Sequence, residues 1–204
     1  MNFIQSGPVD GPVFLFAHGA GAPMDSDFMQ EVSAALASRG IRVVRFEFPY
    51  MQQRRLNGTR RPPDKMPQLL ACYREALAHF PGAVIGGKSM GGRVATLLAA
   101  EQPVSGCAAL GYPFYAKGKA DKPRTTHLAA ITSPLLIVQG ERDALGDASW
   151  FAQQADLQGL NIMWLPDGDH DLKPRKSSGF THQGHIAQLA DTLAAFIFRH
   201  SAHR

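Results

Sequence analysis

The apolar residues of this chain fall into short dense runs separated by longer stretches of amphipathic period, and that alternation sets the fold class. Six runs, residues 13–17 (Val-Phe-Leu-Phe-Ala), 42–48, 83–87, 106–111, 135–139 and 161–165, are rich in β-branched and other apolar residues with little in-and-out alternation. Strands buried on both faces read this way. Between them the apolar period becomes helical. Residues 26–39 put Phe28, Val32, Ala35 and Leu36 on one face and stop at Gly40, a good C-terminal cap residue. Residues 67–80 open with Pro67, align Leu69, Leu70, Tyr73, Leu77 and Phe80, and end before Pro81. Further helices fit 90–101, roughly 147–158, and 185–199, the last with Ile186, Leu189, Leu193, Phe196 and Ile197 inward. Strand alternating with helix predicts an α/β fold with a mostly parallel sheet of six strands, or seven, and helices on both faces.

Length refines this picture. At 204 residues the expectation is one domain spanning 1–204, large enough for a single core. With 45% apolar and 19% charged residues, and no apolar run long enough for a membrane helix, a membrane protein is not expected. The first residues show no basic region followed by an apolar one, so the expected location is the cytoplasm. Cys72 falls in a predicted helix and Cys107 in a predicted strand, which suits reduced, buried thiols. The stretches richest in Pro and charge, 49–66, 112–134 and 166–184, all follow strands. In open α/β sheets ligands bind beyond the carboxyl ends of the strands, so these segments are expected to surround a site.

Residues 87–91, Gly-Lys-Ser-Met-Gly, fit the G-x-S-x-G turn, in which small flanking residues let a strained strand-to-helix corner hold a hydroxyl outward. The context agrees: Ala83 to Gly86 reads as a strand and Gly91-Gly92-Arg93-Val94-Ala95 as a close-packed helix start. Gly82 to Ser89 also satisfies the phosphate-loop pattern G-x-x-x-x-G-K-[ST]. That remote alternative, a nucleotide binder, needs a strand before its first glycine, whereas Gly82 follows Pro81 and a helix end.

Ser89 is thus the candidate nucleophile, and a serine hydroxyl needs a base together with an acid that orients the base. His170 follows the strand 161–165 and is the candidate base, with His182 and His185 as rivals; His79, His200 and His203 fall on helices away from it. Asp143 follows the strand 135–139 and is the candidate orienting acid, ahead of Asp147 and Glu141. A tetrahedral oxyanion needs N–H donors, assigned to Met90, next to the serine, and Ala20, in the Gly-rich turn Ala17-His18-Gly19-Ala20-Gly21. No metal site or cofactor is expected; His182-x-x-His185 is read as helical spacing.

Charge adds a question of substrate. The three long loops carry Arg54, Arg55, Arg60, Arg61 and Lys65, then Lys117, Lys119, Lys122 and Arg124, then Lys173, Arg175 and Lys176: five, four and three of the 21 basic residues. A basic rim around one cleft would concentrate anions, with Arg54, Arg55, Arg60 and Arg61 as candidate substrate-binding residues. The competing reading is a solvated surface that serves solubility. Nucleic acid is not favoured, since no binding module or aromatic platform accompanies the cations.

Taken together, His18-Gly19-Ala20-Gly21, Gly87-Lys88-Ser89-Met90-Gly91-Gly92, Gly140-Glu141-Arg142-Asp143 and Asp169-His170 resemble the α/β-hydrolase superfamily in content and order, over about residues 10–199. The chain further resembles the small, lidless, dienelactone-hydrolase-like branch, including a group related to a hydrolase-like subunit of a histone-acetyltransferase complex. The resemblance implies a sheet whose first predicted strand lies between the second and the third, no large cap domain, and hydrolysis of a small or exposed ester or thioester. Lys88 before the serine is unusual for that superfamily, and the N-terminal hairpin of its larger members is largely missing. A second class of function, a non-catalytic interaction module on the same fold, follows from the link to a complex subunit.

Overall fold

The computed structural model describes residues 1–201, so His203 lies outside the described residues. Strands β1 (Phe3–Ser6), β2 (Val13–Ala17), β3 (Arg42–Phe46), β4 (Val84–Lys88), β5 (Cys107–Leu110), β6 (Leu135–Gly140) and β7 (Ile162–Leu165) form one seven-stranded sheet in the order β1-β3-β2-β4-β5-β6-β7. All pairings are parallel except that of β1 with β3. The order in which strands are added reverses across the β2/β4 boundary, where β2 leads to β3 on one side and β4 opens the other, so their carboxyl ends frame the switch point at which such sheets bind ligands.

Successive side chains of a strand face opposite ways, and the core divides accordingly. Phe14, Phe16, Val43 and Val84 pack with α1 (Asp27–Ala37) and α6 (His182–His200), through Val32, Leu36, Leu189 and Leu193. Leu15, Ala17, Val44 and Ile85 pack on the other face with α3 (Met66–Ala78) and α4 (Met90–Glu101), through Tyr73, Ala76, Val94 and Leu98. Each such fully buried aliphatic or aromatic side chain contributes about 1.5–3 kcal/mol. Removing one, as in Leu193→Ala, costs about 2–5 kcal/mol.

The structure departs from the sequence-based elements in three places. The sheet gains β1, a four-residue antiparallel edge strand whose partly exposed residues give no apolar run. The loop expected at 49–66 begins as a helix, α2 (Pro49–Asn57), with Pro49 in its first turn and Gly58 at φ 72° ending it; only Tyr50 and Met51 are buried, so its apolar face is too short to register. The helix expected over 147–158 breaks after α5 (Ala148–Ala152) and resumes as a 3₁₀ turn at Ala155–Leu157. The segment after β5 holds one 3₁₀ helix, Thr126–Ala130, and builds no cap domain. No described helix is long and apolar enough to cross a membrane.

Candidate active site

Ser89 joins β4 to α4 at φ 51°, ψ −114°, a conformation that costs a non-glycine residue about 1–3 kcal/mol. The corner is that tight because its glycines have no side chains: a Cβ on Gly87 would stand 2.3 Å from the carbonyl carbon of Gly91, and one on Gly91 would stand 2.5 Å from the carbonyl oxygen of His18. The segment that fits the phosphate-loop pattern is therefore mostly strand β4, extended and hydrogen-bonded on both sides, and does not wrap an anion.

The candidate acid and base arrive from the ends of β6 and β7, two and three strands away. The Oγ of Ser89 is 2.9 Å from Nε2 of His170, and Nδ1 of His170 is 2.8 Å from Oδ2 of Asp143. Asp143 is fully buried, whereas the His170 side chain is 31% exposed. Since the carboxylate accepts, Nδ1 carries the proton and Nε2 presents its lone pair to the hydroxyl. The other acid candidates are used elsewhere: Asp147 caps α5 by accepting from the Trp150 N–H at 2.7 Å, and Glu141 accepts from the Asp167 N–H. So are the rival histidines: His182 stands 3.6 Å from Glu31, and His185 is buried against the Leu172 carbonyl. Among the described residues no group of three or more His, Cys, Asp or Glu side chains is arranged to hold a metal ion.

Two further residues hold this chain of groups, and sequence reasoning did not assign them. Gln139, fully buried at the end of β6, donates to Oδ2 of Asp143 at 2.9 Å and to the Gly146 carbonyl at 3.0 Å, while its carbonyl accepts from the Tyr112 N–H at 2.7 Å. Lys88 is only 7% exposed; its Nζ donates to the backbone carbonyl of His170, lies 3.3 Å from Asp171 and sits 5.2 Å over the ring of Phe28. Burial pulls its pKa below the usual lysine value, against the pull of Asp171 and Asp143. The signal for Lys88 was present in its oddness beside the serine; Gln139, four residues before Asp143, gave none.

The Gly-rich turn after β2 lies against this corner. A Cβ on Gly19 would touch Cβ of Ser89 at 3.7 Å. His18 fixes the turn: its Nε2 accepts from the Phe48 N–H at 3.1 Å, so Nδ1 carries the proton and donates to the Gly19 carbonyl at 2.7 Å. Burial first of all lowers its pKa and keeps it neutral. The Tyr50 hydroxyl donates to the Ala20 carbonyl at 2.9 Å. With the Gly19 carbonyl drawn back to His18, the trans peptide turns the Ala20 N–H the opposite way. The N–H groups of Ala20 and Met90 have no backbone acceptor among the described residues.

The four arginines read as substrate-binding do not form one group. Arg55 holds Asp25 and Glu47 at once, at 2.8 and 2.5 Å, which raises its own pKa and commits its charge to the fold. Arg54 donates to the Gly21 carbonyl at 3.3 Å and Arg61 to Gln53, while Arg60 is exposed with no side-chain hydrogen bond among the described residues.

The profile of a family described as "Alpha/beta hydrolase domain" matches residues 10–198. No curated protein sequence gives a significant match. Among solved structures the chain is similar to a dienelactone hydrolase from Anabaena variabilis, with TM-score 0.72 at 19% identity over 98% of this chain and 93% of that one. It is similar to the esterase domain of a Rhodothermus marinus protein, with TM-score 0.64 at 20% identity over 96% and 91%. It is likewise similar to a lidless α/β serine hydrolase from Xanthomonas campestris, with TM-score 0.62 at 19% identity over 99% and 90%. At such identities these structures speak for the fold.

Proposed function

The chain belongs to the α/β-hydrolase family, and from that premise we propose that it is a serine hydrolase cleaving a small or exposed ester or thioester through an acyl-enzyme on Ser89. The observation that carries this reading is the unbroken relay Asp143–His170–Ser89, 2.8 and 2.9 Å per step, with the serine on a strained corner. The likeness to an esterase domain, a thioesterase domain and a lidless serine hydrolase supports the choice of bond without naming the acyl group.

In this reading the Ser89 oxygen attacks the acyl carbon as His170 takes its proton, and Asp143 stabilises the imidazolium that results. The N–H groups of Met90 and Ala20 receive the negative charge that builds on the acyl oxygen, each contributing about 2.7–4 kcal/mol. His170 then protonates the departing alkoxide or thiolate, and water, activated by the same imidazole, releases the acid. The open surroundings of Ser89, without a cap, favour substrates with little buried area. The cytoplasm is the location in keeping with a small soluble substrate.

The test is labelling by a fluorophosphonate probe together with hydrolysis of short 4-nitrophenyl esters. Labelling and turnover are expected in the wild type and lost in Ser89→Ala. A folded wild-type protein that neither labels nor turns over would remove the proposal.

A further inference from the structure

Among the described residues, most buried or half-buried arginines hydrogen-bond through the guanidinium: Arg39 to Asp191, Arg42 to Gln5, Arg45 to the Met24 carbonyl and Ser6, and Arg54 to the Gly21 carbonyl. Arg93 does not. It lies one helical turn beyond Ser89, its N–H bonded to the Ser89 carbonyl at 3.0 Å. Side chains of a helix lean toward its N-terminus, so Arg93 leans back up α4 toward the end that carries Ser89. Its Nε is sealed from solvent and, like that of Arg45, has no hydrogen-bond partner among the described residues.

Among the described residues no carboxylate pairs with Arg93, and the groups beside it carry no negative charge. Tyr112 is buried, its phenol kept protonated by burial, and its hydroxyl donates to the Arg124 carbonyl at 2.8 Å. His127 approaches Thr96 of the same helix at 2.9 Å, and burial holds it neutral with a pKa of about 4. Arg124, half-buried in the loop after β5, adds a second cation. Burial lowers the Arg93 pKa; Tyr112 opposes that shift and Arg124 reinforces it. A guanidinium with a sealed, unpartnered nitrogen, facing a second like charge, is costly unless an anion joins it.

We propose that Arg93 and Arg124 form a subsite for an oxyanion of the substrate, a carboxylate or a phosphate-type group on the ester that Ser89 attacks. The inference rests on the serine-hydrolase reading for the role of that ester, and on the unpaired arginines for its charge. A planar guanidinium meets either oxyanion with two parallel hydrogen bonds, and each charge-assisted bond is about twice as strong as a neutral one. The anion preference expected of the basic loops thus moves from the arginines of residues 49–66 to the flank of α4.

Binding is measured by calorimetry on Ser89→Ala protein, which holds a substrate without consuming it. The probes are 4-nitrophenyl hemisuccinate and its neutral isostere, 4-nitrophenyl 4-oxopentanoate. The hemisuccinate is expected to bind tighter by roughly tenfold or more, with the advantage shrinking as salt rises and disappearing in Arg93→Met and in Arg124→Met added to that background. The phosphonate analogue, 4-nitrophenyl 3-phosphonopropanoate, separates the two oxyanions by which binds tighter. Circular dichroism establishes that the variants are folded, and Arg93→Lys, which keeps the charge without the fork, should restore part of the preference. Equal binding of charged and neutral esters, or a preference that survives both Met variants, overturns the subsite. Neither result depends on turnover, so failure of the hydrolase reading would show separately, as loss of Ser89-dependent labelling.

Discussion

The ammonium group of Lys88 donates to the backbone carbonyl of His170, so the residue before the nucleophile grips the residue that serves it. The ion pair to Asp171 and the ring of Phe28 complete the enclosure of that charge. Lys88→Met keeps the length of the stem and removes the grip. Asp171 is largely exposed and is left to water, so the fold should tolerate the change. The His170 loop should then drift, and misplacement by about 1 Å costs on the order of 100-fold in rate. We expect kcat for a short ester to fall by roughly ten- to 100-fold with KM little changed. An unaltered kcat would leave Lys88 a packing residue.

Gln139 should act through Asp143 in a way that can be separated from packing. Gln139→Leu strips donors and acceptors from Asp143, Gly146 and Tyr112 in a fully buried place, and each orphaned group costs about 1–3 kcal/mol. Gln139→Glu keeps the shape but sets a second carboxyl beside the first. Two such groups do not both ionise near neutrality, because each raises the other's pKa. A proton shared by the pair weakens the support of His170, so activity should fall by about tenfold or more at pH 7 and recover as pH rises. A pH–rate profile parallel to the wild type would refute the coupling.

How much of this was legible in the sequence depended on whether a residue acts through its neighbours in the chain or through space. The five inner strands announced themselves because they are buried on both faces and the edge strand β7 by its apolar run, and Ser89 did so because its corner needs Gly87, Gly91 and Gly92 at fixed offsets. Asp143 and His170 were reachable because each follows a strand end. β1 and α2 were not, since an edge strand of four residues and a helix with two buried side chains leave almost no apolar period. The pairing of Arg55 with Asp25 and Glu47 joins α2 to the residue just past β3 and to the β2–α1 connection, and nothing in the spacing of those residues encodes it. Gln139 shows the same limit: a buried amide is silent until its partners are known.

The strain at Ser89 gives a prediction in which stability and activity part ways. A Cβ at φ 51° costs about 1–3 kcal/mol, and glycine removes that cost while adding about 0.5–1 kcal/mol of unfolded-chain entropy. Ser89→Gly should therefore be more stable than the wild type by about 1 kcal/mol, or roughly 2–4 °C in Tm for a chain of this size. Ser89→Ala keeps the Cβ and with it the strain, so its Tm should stay near that of the wild type. Both should lose turnover. A glycine variant that melts below the alanine variant would show that the corner is not strained in the sense argued.

His127 makes the stability of the fold depend on acid. Burial between α4 and the loop after β5, reinforced by Arg93, lowers its pKa from 6.5 to about 4. In the unfolded chain the imidazole takes up its proton near the ordinary value, while in the folded chain it stays neutral. Between about pH 6.5 and about pH 4 the unfolded state therefore binds more protons, and stability rises with pH through that window. The contribution is present above the unfolded value and is lost as pH falls toward 4. His127→Gln can keep a hydrogen bond to Thr96 but does not titrate. Urea midpoints measured at pH 7 and pH 5 should fall less in His127→Gln than in the wild type. His18, whose pKa burial also lowers, contributes with the same sign to both proteins and cancels in the comparison. Equal losses in the two proteins would mean that His127 meets solvent and titrates as a free histidine does, against the burial between α4 and the loop after β5 that lowers its pKa here.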